Sequence, residues 1–353
     1  MIAGLSRRES AALALIALFT VLAGIADYGG WAPLPAFGVA TVALAGLAWI
    51  VSFATEQVGE RFGPAVTGLL QSTLGNLPEL FVVIFALNAG ETVVAQTSIV
   101  GSLFANALLV LGIVFIVGAR ASEDGVMHFT PKLSSDTATL LLVDVFIIVL
   151  VGLSLGSGDP ASHHVKAISV IAAVTLLGVY LAWVIPYVRS DRAPATAEGS
   201  PRIALAASLV LLFLAGAASA FVSDWFVAAL APAIKQLHLS QAFAGIVIVA
   251  IAGNAVENFT GIVLAYKRQS DLAISVVINS VAQIAAFLFP LLVLISLVLP
   301  TTLTFALSPI YIGALALTAI AVWQVTSDGE GHPFEGAALV ATYVILAATT
   351  LYE

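Results

Sequence analysis

The stretch GNLPELFVVIFAL, residues 75–87, sets a carboxylate, Glu79, directly ahead of eight uninterrupted apolar residues. Its first five residues, Gly75-Asn76-Leu77-Pro78-Glu79, return as Gly253-Asn254-Ala255-Val256-Glu257 at the head of GNAVENFTGIVLA, residues 253–265. The offset is 178 residues (257 − 79), and carried forward without a gap it sets Ser102 on Ser280. Two polar matches at one spacing, inside otherwise apolar sequence, mark an internal repeat.

The surrounding sequence belongs in a bilayer. Of 353 residues, 61% are hydrophobic and only 9% charged, with a mean hydropathy of +1.10. Soluble domains carry about 25% charged residues. The apolar residues fall in blocks of roughly 20, enough to cross about 30 Å of hydrocarbon as a helix. No segment alternates apolar and polar residues as an outer-membrane strand does over about ten positions. The net charge of −8 lies mostly in short loops and a few intramembrane carboxylates, and gives no reason to expect a nucleic-acid partner. There is no cysteine, so disulfides and thiolate metal sites are excluded. Arg7 and Arg8 precede the first apolar run; with no small-residue cleavage site after it, that run reads as a retained helix.

Eleven helices are expected, over residues 10–27, 33–54, 63–88, 92–119, 136–156, 166–188, 203–230, 241–266, 271–299, 304–325 and 335–351. With the N-terminus on one side, that side receives Arg7, Arg8, Arg61, Arg120, Lys132, Arg189, Arg192, Arg202, Lys267 and Arg268; the other receives Lys166 and Lys235. Positive charge marks the cytoplasmic side, so the N-terminus is placed inside and Glu353 outside a cell (inner) membrane. The organisation expected is an extra helix in residues 1–32, a five-helix repeat over 33–188, a cytoplasmic linker over 189–202 (RSDRAPATAEGSPR) and a second five-helix repeat over 203–353. Five is odd, so the second repeat enters the membrane from the opposite face. This is an all-α polytopic membrane protein of inverted-repeat design, an architecture that places substrate sites near the midplane.

The repeat also marks the chemistry. A charge at the bilayer centre costs at least about 2.5–3.5 kcal/mol, so Glu79 and Glu257 need a partner or a task. No basic residue lies mid-helix near either. Asn76 and Asn254 each sit three residues earlier, on the same helical face. The preceding Gly, and Pro78 in the first motif, weaken the helical ladder and free carbonyls for a cavity. On the next helix Ser98, Ser102 and Asn106 follow at steps of four; Ser280 and Gln283 form a shorter counterpart, and Gln96 lies near a helix end. Packing and cross-helix bonding are competing readings for Ser98, Ser102, Gln96 and Asn106. Two carboxylates with amide, hydroxyl and carbonyl oxygens suit a hard cation, Ca²⁺ before Mg²⁺. Asp144 lies deeper and reads as an accessory proton or network residue, Asp224 as peripheral, and the five histidines as solvated loop residues.

The run ATEQVGERFGPAVTGLLQSTLGNLPEL, residues 54–80, with VVAQTSIVGSLFANALLVLG, residues 93–112, resembles the first signature of the Ca²⁺/proton exchangers of the cation/Ca²⁺ exchanger superfamily. Residues 245–294 resemble the second signature, and SDGEGHPFEGAALVATYVIL resembles the closing helix. The resemblance implies that Glu79 and Glu257 take Ca²⁺ or protons, with Asn76, Asn254, Ser102, Asn106, Ser280 and Gln283 around them. Gly-Asn, where sodium-coupled relatives carry Gly-Thr-Ser, favours the proton-coupled branch. Asn258 stands where His is frequent and Asn279 where Gly is frequent.

The function expected is therefore proton-coupled export of Ca²⁺ by alternating access. Ca²⁺ is substrate rather than cofactor, no cofactor is required, and the chain is not an enzyme. The partners are Ca²⁺, H⁺ and the lipid bilayer, with self-association left open. A Na⁺(K⁺)/H⁺ antiporter of the same fold is the alternative, followed by a passive cation channel or uniporter.

Overall fold

A computed structural model describes residues 5–59, 74–156, 158–190 and 202–353, with the side chains of 59, 131–137, 155–156, 186–190 and 256–257 outside the description. The elements are α1 (Arg7–Tyr28), α2 (Pro33–Gly59), α3 (Leu77–Asn88), α4 (Thr92–Phe104), α5 (Leu111–Ala121), β1 (Met127–His128), α6 (Pro131–Gly156), α7 (Val165–Ser190) and α8 (Leu205–Leu237). Then come α9 (Gln241–Gly253), α10 (Ala255–Tyr266), α11 (Ser270–Gln283), α12 (Phe289–Ile295), α13 (Pro309–Thr326), β2 (Glu330–Gly331) and α14 (Pro333–Leu351). Among the described residues eight helices are long and apolar enough to cross a membrane, nine if the bent pair α9 and α10 is one span. Two expected spans stand outside that count: 63–88, of which Leu77–Asn88 is a described apolar helix, and 136–156, which lies within α6. Residues 60–73, which carry part of the first of these, lie outside the described residues.

The 178-residue offset recurs in the element boundaries. Shifted by 178, Leu77–Asn88 falls on Ala255–Tyr266, Thr92 on Ser270 and Pro131 on Pro309. A π-helical turn at Ala105–Val110 follows α4, and another at Ile284–Leu288 follows α11, one residue inside the shifted position. Such turns insert a residue into the helical ladder and frequently occur at functional sites. A third, Ala244–Val249, lies within α9.

The chain divides into two units. The first comprises Met1–Ala89, Leu181–Leu239 and Ala252–Val256. In it, α2 packs along α8, and α1 packs on both. α1 opens on a Ser6–Glu9 capping box. The Arg202 guanidinium donates to Glu9 Oε1 (2.6 Å) and sits 5.6 Å over the Phe53 ring, while the Arg202 amide donates to Gln57 Oε1 (2.8 Å). The start of α1 and the end of α2 are thereby joined at one end of this unit. α8 continues through Pro232 and closes on His238 in the left-handed region (φ 56°).

The second unit comprises Gly90–Tyr180, Ser240–Ile251 and Glu257–Glu353. Its helices cross closely at glycine. A β-carbon at position 101 would stand 2.5 Å from the Ile246 Cα, and one at Gly245 would fall on Thr97 Oγ1. Small residues let membrane helices approach and gain dispersion contacts where no hydrophobic drive exists. α5 and α14 meet likewise at Gly112 and Gly336, and α6 lies along α13. Outside the helices, β1 pairs antiparallel with β2, Met127 opposite Gly331 and His128 opposite Glu330.

Candidate cation site

Both motifs break the helix at asparagine. Asn76 is a turn residue (φ −82°, ψ 5°) from which α3 starts, and Asn254 is the turn between α9 and α10, whose axes differ by 59°. The continuous helices expected over 63–88 and 241–266 are thus interrupted where Gly-Asn stands. Each glutamate is the third residue of a new helix: Leu77, Pro78, Glu79, and Ala255, Val256, Glu257. Pro78 suits the first turn, where its missing N–H has no intrahelical acceptor to serve. A first-turn carboxylate meets the positive end of the helix dipole, and a helix ending before it leaves carbonyls for other partners. Broken helices with this polarity form ion sites in transporters.

In the first unit the two motifs touch. Glu79 is 2% exposed and Asn76 and Asn254 are equally enclosed, and Gly253 lies against the Glu79 Cβ. Ser223 of α8 donates to the Pro78 carbonyl (3.4 Å), a contact nothing in the sequence flagged. Ser52, Thr55 and Gln57 of α2 are also buried; their polarity was legible, but not which face of a long apolar helix it occupied. The side chain of Glu257 lies outside the described residues.

In the second unit the neutral oxygens of the two halves converge. Asn106, in the π-helical turn, donates from Nδ2 to Ser280 Oγ (3.4 Å), across 174 residues of sequence. Ser102, Ser280 and Gln283 are buried with it. The acceptor oxygens Gln283 Oε1 and Asn258 Oδ1 are buried with no hydrogen-bond donor among the described residues. A buried acceptor without a donor costs about 1–3 kcal/mol, and a cation is one way to satisfy it. The other candidates have partners elsewhere. Ser98 donates to Ala95 of its own helix (3.0 Å) and Gln96 donates to the Ala306 carbonyl (3.4 Å). Asn279 donates to Ser275 Oγ (3.0 Å), one turn back. Among the described residues no three His, Cys, Asp or Glu side chains gather as a metal centre.

Residues 33–186 and 207–352 match the sodium/calcium exchanger protein family. The chain belongs to that family. The resemblance to the Ca²⁺/proton exchangers of the superfamily is borne out by its relatives. The vacuolar calcium ion transporter of Schizosaccharomyces pombe is 31% identical over 96% of this chain and 84% of its own length. The Ca²⁺/H⁺ antiporter ChaA of Bacillus subtilis is 29% identical over 94% of this chain and 96% of its own. Among solved structures, native YfkE matches with a TM-score of 0.82 and 28% identity, over 97% of this chain and all of that one. The H⁺/Ca²⁺ exchanger CAX, at 16% identity and a TM-score of 0.75, shares the fold. This family member is accordingly a multi-pass, all-helical membrane protein whose relatives are transporters.

Proposed function

We propose that this chain exchanges cytoplasmic Ca²⁺ for protons across a cell membrane, with both ions competing for Glu79 and Glu257. The observation that carries the reading is the enclosed first-turn Glu79 at a helix broken by Gly-Asn, with the same motif 178 residues on. An apolar surrounding opposes a bare carboxylate, and a proton or a bound cation relieves that cost. A divalent ion between oxygens expels the protons, and exchange follows when only a loaded protein changes face. Asn76, Asn254, Ser102, Asn106, Ser280 and Gln283 supply neutral oxygens, which suits the six to eight ligands of Ca²⁺. Gln96 and Ser98 serve helix contacts first. The matched element boundaries support two five-helix repeats, residues 33–188 and 203–353, of opposite orientation, behind an extra first helix. The ten-to-two split of basic residues supports a cytoplasmic N-terminus.

Everted vesicles with an acid interior and a pH dye test this directly. Ca²⁺ should release the protons in unmodified vesicles and release none in Glu79→Gln or Glu257→Gln. A response to Na⁺ or K⁺ but not to Ca²⁺ would replace the substrate and keep the antiporter. Ion current without proton movement would replace the antiporter by a channel.

A further inference from the structure

Asp144 is the one buried carboxylate that the two motifs leave unused among the described side chains. It is 0% exposed, in α6 among the buried Leu140, Leu141, Val145 and Ile148. Neither of its oxygens has a hydrogen-bond partner among the described residues. Packing does not demand the carboxyl. The 178-residue offset that sets Pro131 on Pro309 sets Asp144 on Val322 of α13, an apolar residue 1% exposed. A buried position in one half is thus filled by a branched hydrocarbon, and its counterpart in the other by an acid of similar size.

Among the described residues no cation answers the carboxylate. α6 packs on α13, α11, the π-helical turn Ile284–Leu288 and the short helix Pro160–His164. The only titratable residue of α13 is Tyr311, eleven positions before Val322, and its hydroxyl bonds to Glu353. The only one of α11 is Asp271, in its first turn, which accepts from the Thr130 amide. The π-helical turn has none, and His163 and His164 of the short helix are exposed. Within α6 itself, Lys132 and Asp136 lie at least eight residues before Asp144, about 12 Å along a helix. An ionised carboxylate in such a place would be both desolvated and unpaired.

We propose that Asp144 is a proton-binding site outside the Gly-Asn-x-x-Glu motifs, holding its proton while α6 is packed and releasing it when that packing opens to water. The neutral acid satisfies the apolar surroundings; the ionised form draws water in and disfavours the packed state. Its effect on transport, a fall in rate toward alkaline pH, rests on the exchanger reading, whereas the protonation does not.

The experiment uses the full chain in lipid, as wild type, Asp144→Asn, Asp144→Val and Glu79→Gln. Infrared difference spectra between acid and alkaline pH read the carbonyl stretch of protonated carboxylic acids. A component of that band should survive in Glu79→Gln and vanish in both Asp144 variants. Ca²⁺ transport by wild type should fall at alkaline pH by at most about tenfold per unit, the limit for one proton. Asp144→Asn and Asp144→Val should lose that limb while eluting as folded protein. An unchanged band in the Asp144 variants overturns the proposal, as do pH profiles that superimpose on wild type. Were Glu79→Gln to transport normally, the exchanger reading would fall and the infrared result alone would decide for or against Asp144.

Discussion

Gly253 of the second motif lies against Glu79 of the first, so that a β-carbon at position 253 would stand 3.8 Å from the Glu79 Cβ. That is ordinary van der Waals contact, with room for one methyl group and little more. Gly253→Ala should fold and keep Ca²⁺-driven proton release within about threefold of wild type. Gly253→Val forces further carbons against the carboxylate arm, and overpacking of about 1–3 kcal/mol should reduce transport by about tenfold or more. Proton release measured in vesicles of matched protein content separates the two, and equal loss in both variants would count against the contact.

Gln283 should show opposite effects on stability and function. Its Oε1 is buried without a donor among the described residues, so Gln283→Leu removes an unsatisfied acceptor at similar volume. Melting in detergent without Ca²⁺ should show a gain of about 1 kcal/mol. The Ca²⁺ concentration for half-maximal proton release should rise by about tenfold. A stabilised variant with unaltered Ca²⁺ dependence would remove Gln283 from the ligand set.

The glycine crossing of α4 with α9 makes a third case. At Gly101 a β-carbon meets the Ile246 backbone at 2.5 Å, whereas at Gly313 it meets nothing within 4 Å. Gly101→Ala must push two backbones apart and should destabilise by about 1–3 kcal/mol. Gly313→Ala, in the interior of α13, should be neutral or stabilising by up to about 1 kcal/mol. Thermal denaturation monitored by size-exclusion elution compares them, and equal melting would contradict the close crossing.

The β1–β2 ribbon gives a pH dependence. His128 Nε2 lies 2.7 Å from Asp124 Oδ2, and His128 Nδ1 lies 3.8 Å from Glu330 Oε1. The hydrogen bond to Asp124 and the two carboxylates raise the His128 imidazole above its ordinary value; the bond to His128 and the Val126 amide lower Asp124. A raised imidazole contributes stability that is complete below the unfolded value of about 6.5 and is lost as pH climbs through the raised one. The lowered Asp124 contributes above the ordinary carboxylate value and loses its share as pH falls through the lowered one. Hydrogen-exchange protection at Met127 and Gly331 should therefore be greatest between those limits and fall on the alkaline side. In His128→Gln that alkaline fall should disappear.

Much of this was open to reading because a carboxylate in apolar sequence is conspicuous and a repeat of five residues is countable. Glu79, Asn76 and the 178-residue offset needed no coordinates, and the offset proved to hold for Thr92 and Ser270 and for Pro131 and Pro309. Less visible was what depends on one inserted residue or one rotation of a helix. The π-helical turn that holds Asn106 leaves no mark in hydropathy, yet it begins within three residues of Ser102. The step of four that grouped Ser98 with Ser102 and Asn106 holds only in an undisturbed ladder, and a hydroxyl in a membrane helix has its own carbonyls within reach, as Ser98 found in Ala95. The buried amide of Asn258 was noted as a missing histidine, because sequence shows the substituted group and not its burial.

The constant spacing has an experimental use of its own. From Leu77 to Pro131 and from Ala255 to Pro309 neither stretch has gained or lost a residue relative to the other, so every position comes with an internal counterpart. Exchanging the residues of such a pair, Gly101 with Asn279 or Asp144 with Val322, conserves the composition of the chain while moving one chemical group between halves. A set of such swaps would sort the differences between the two halves into those transport requires and those that merely accumulated, without reference to any other protein.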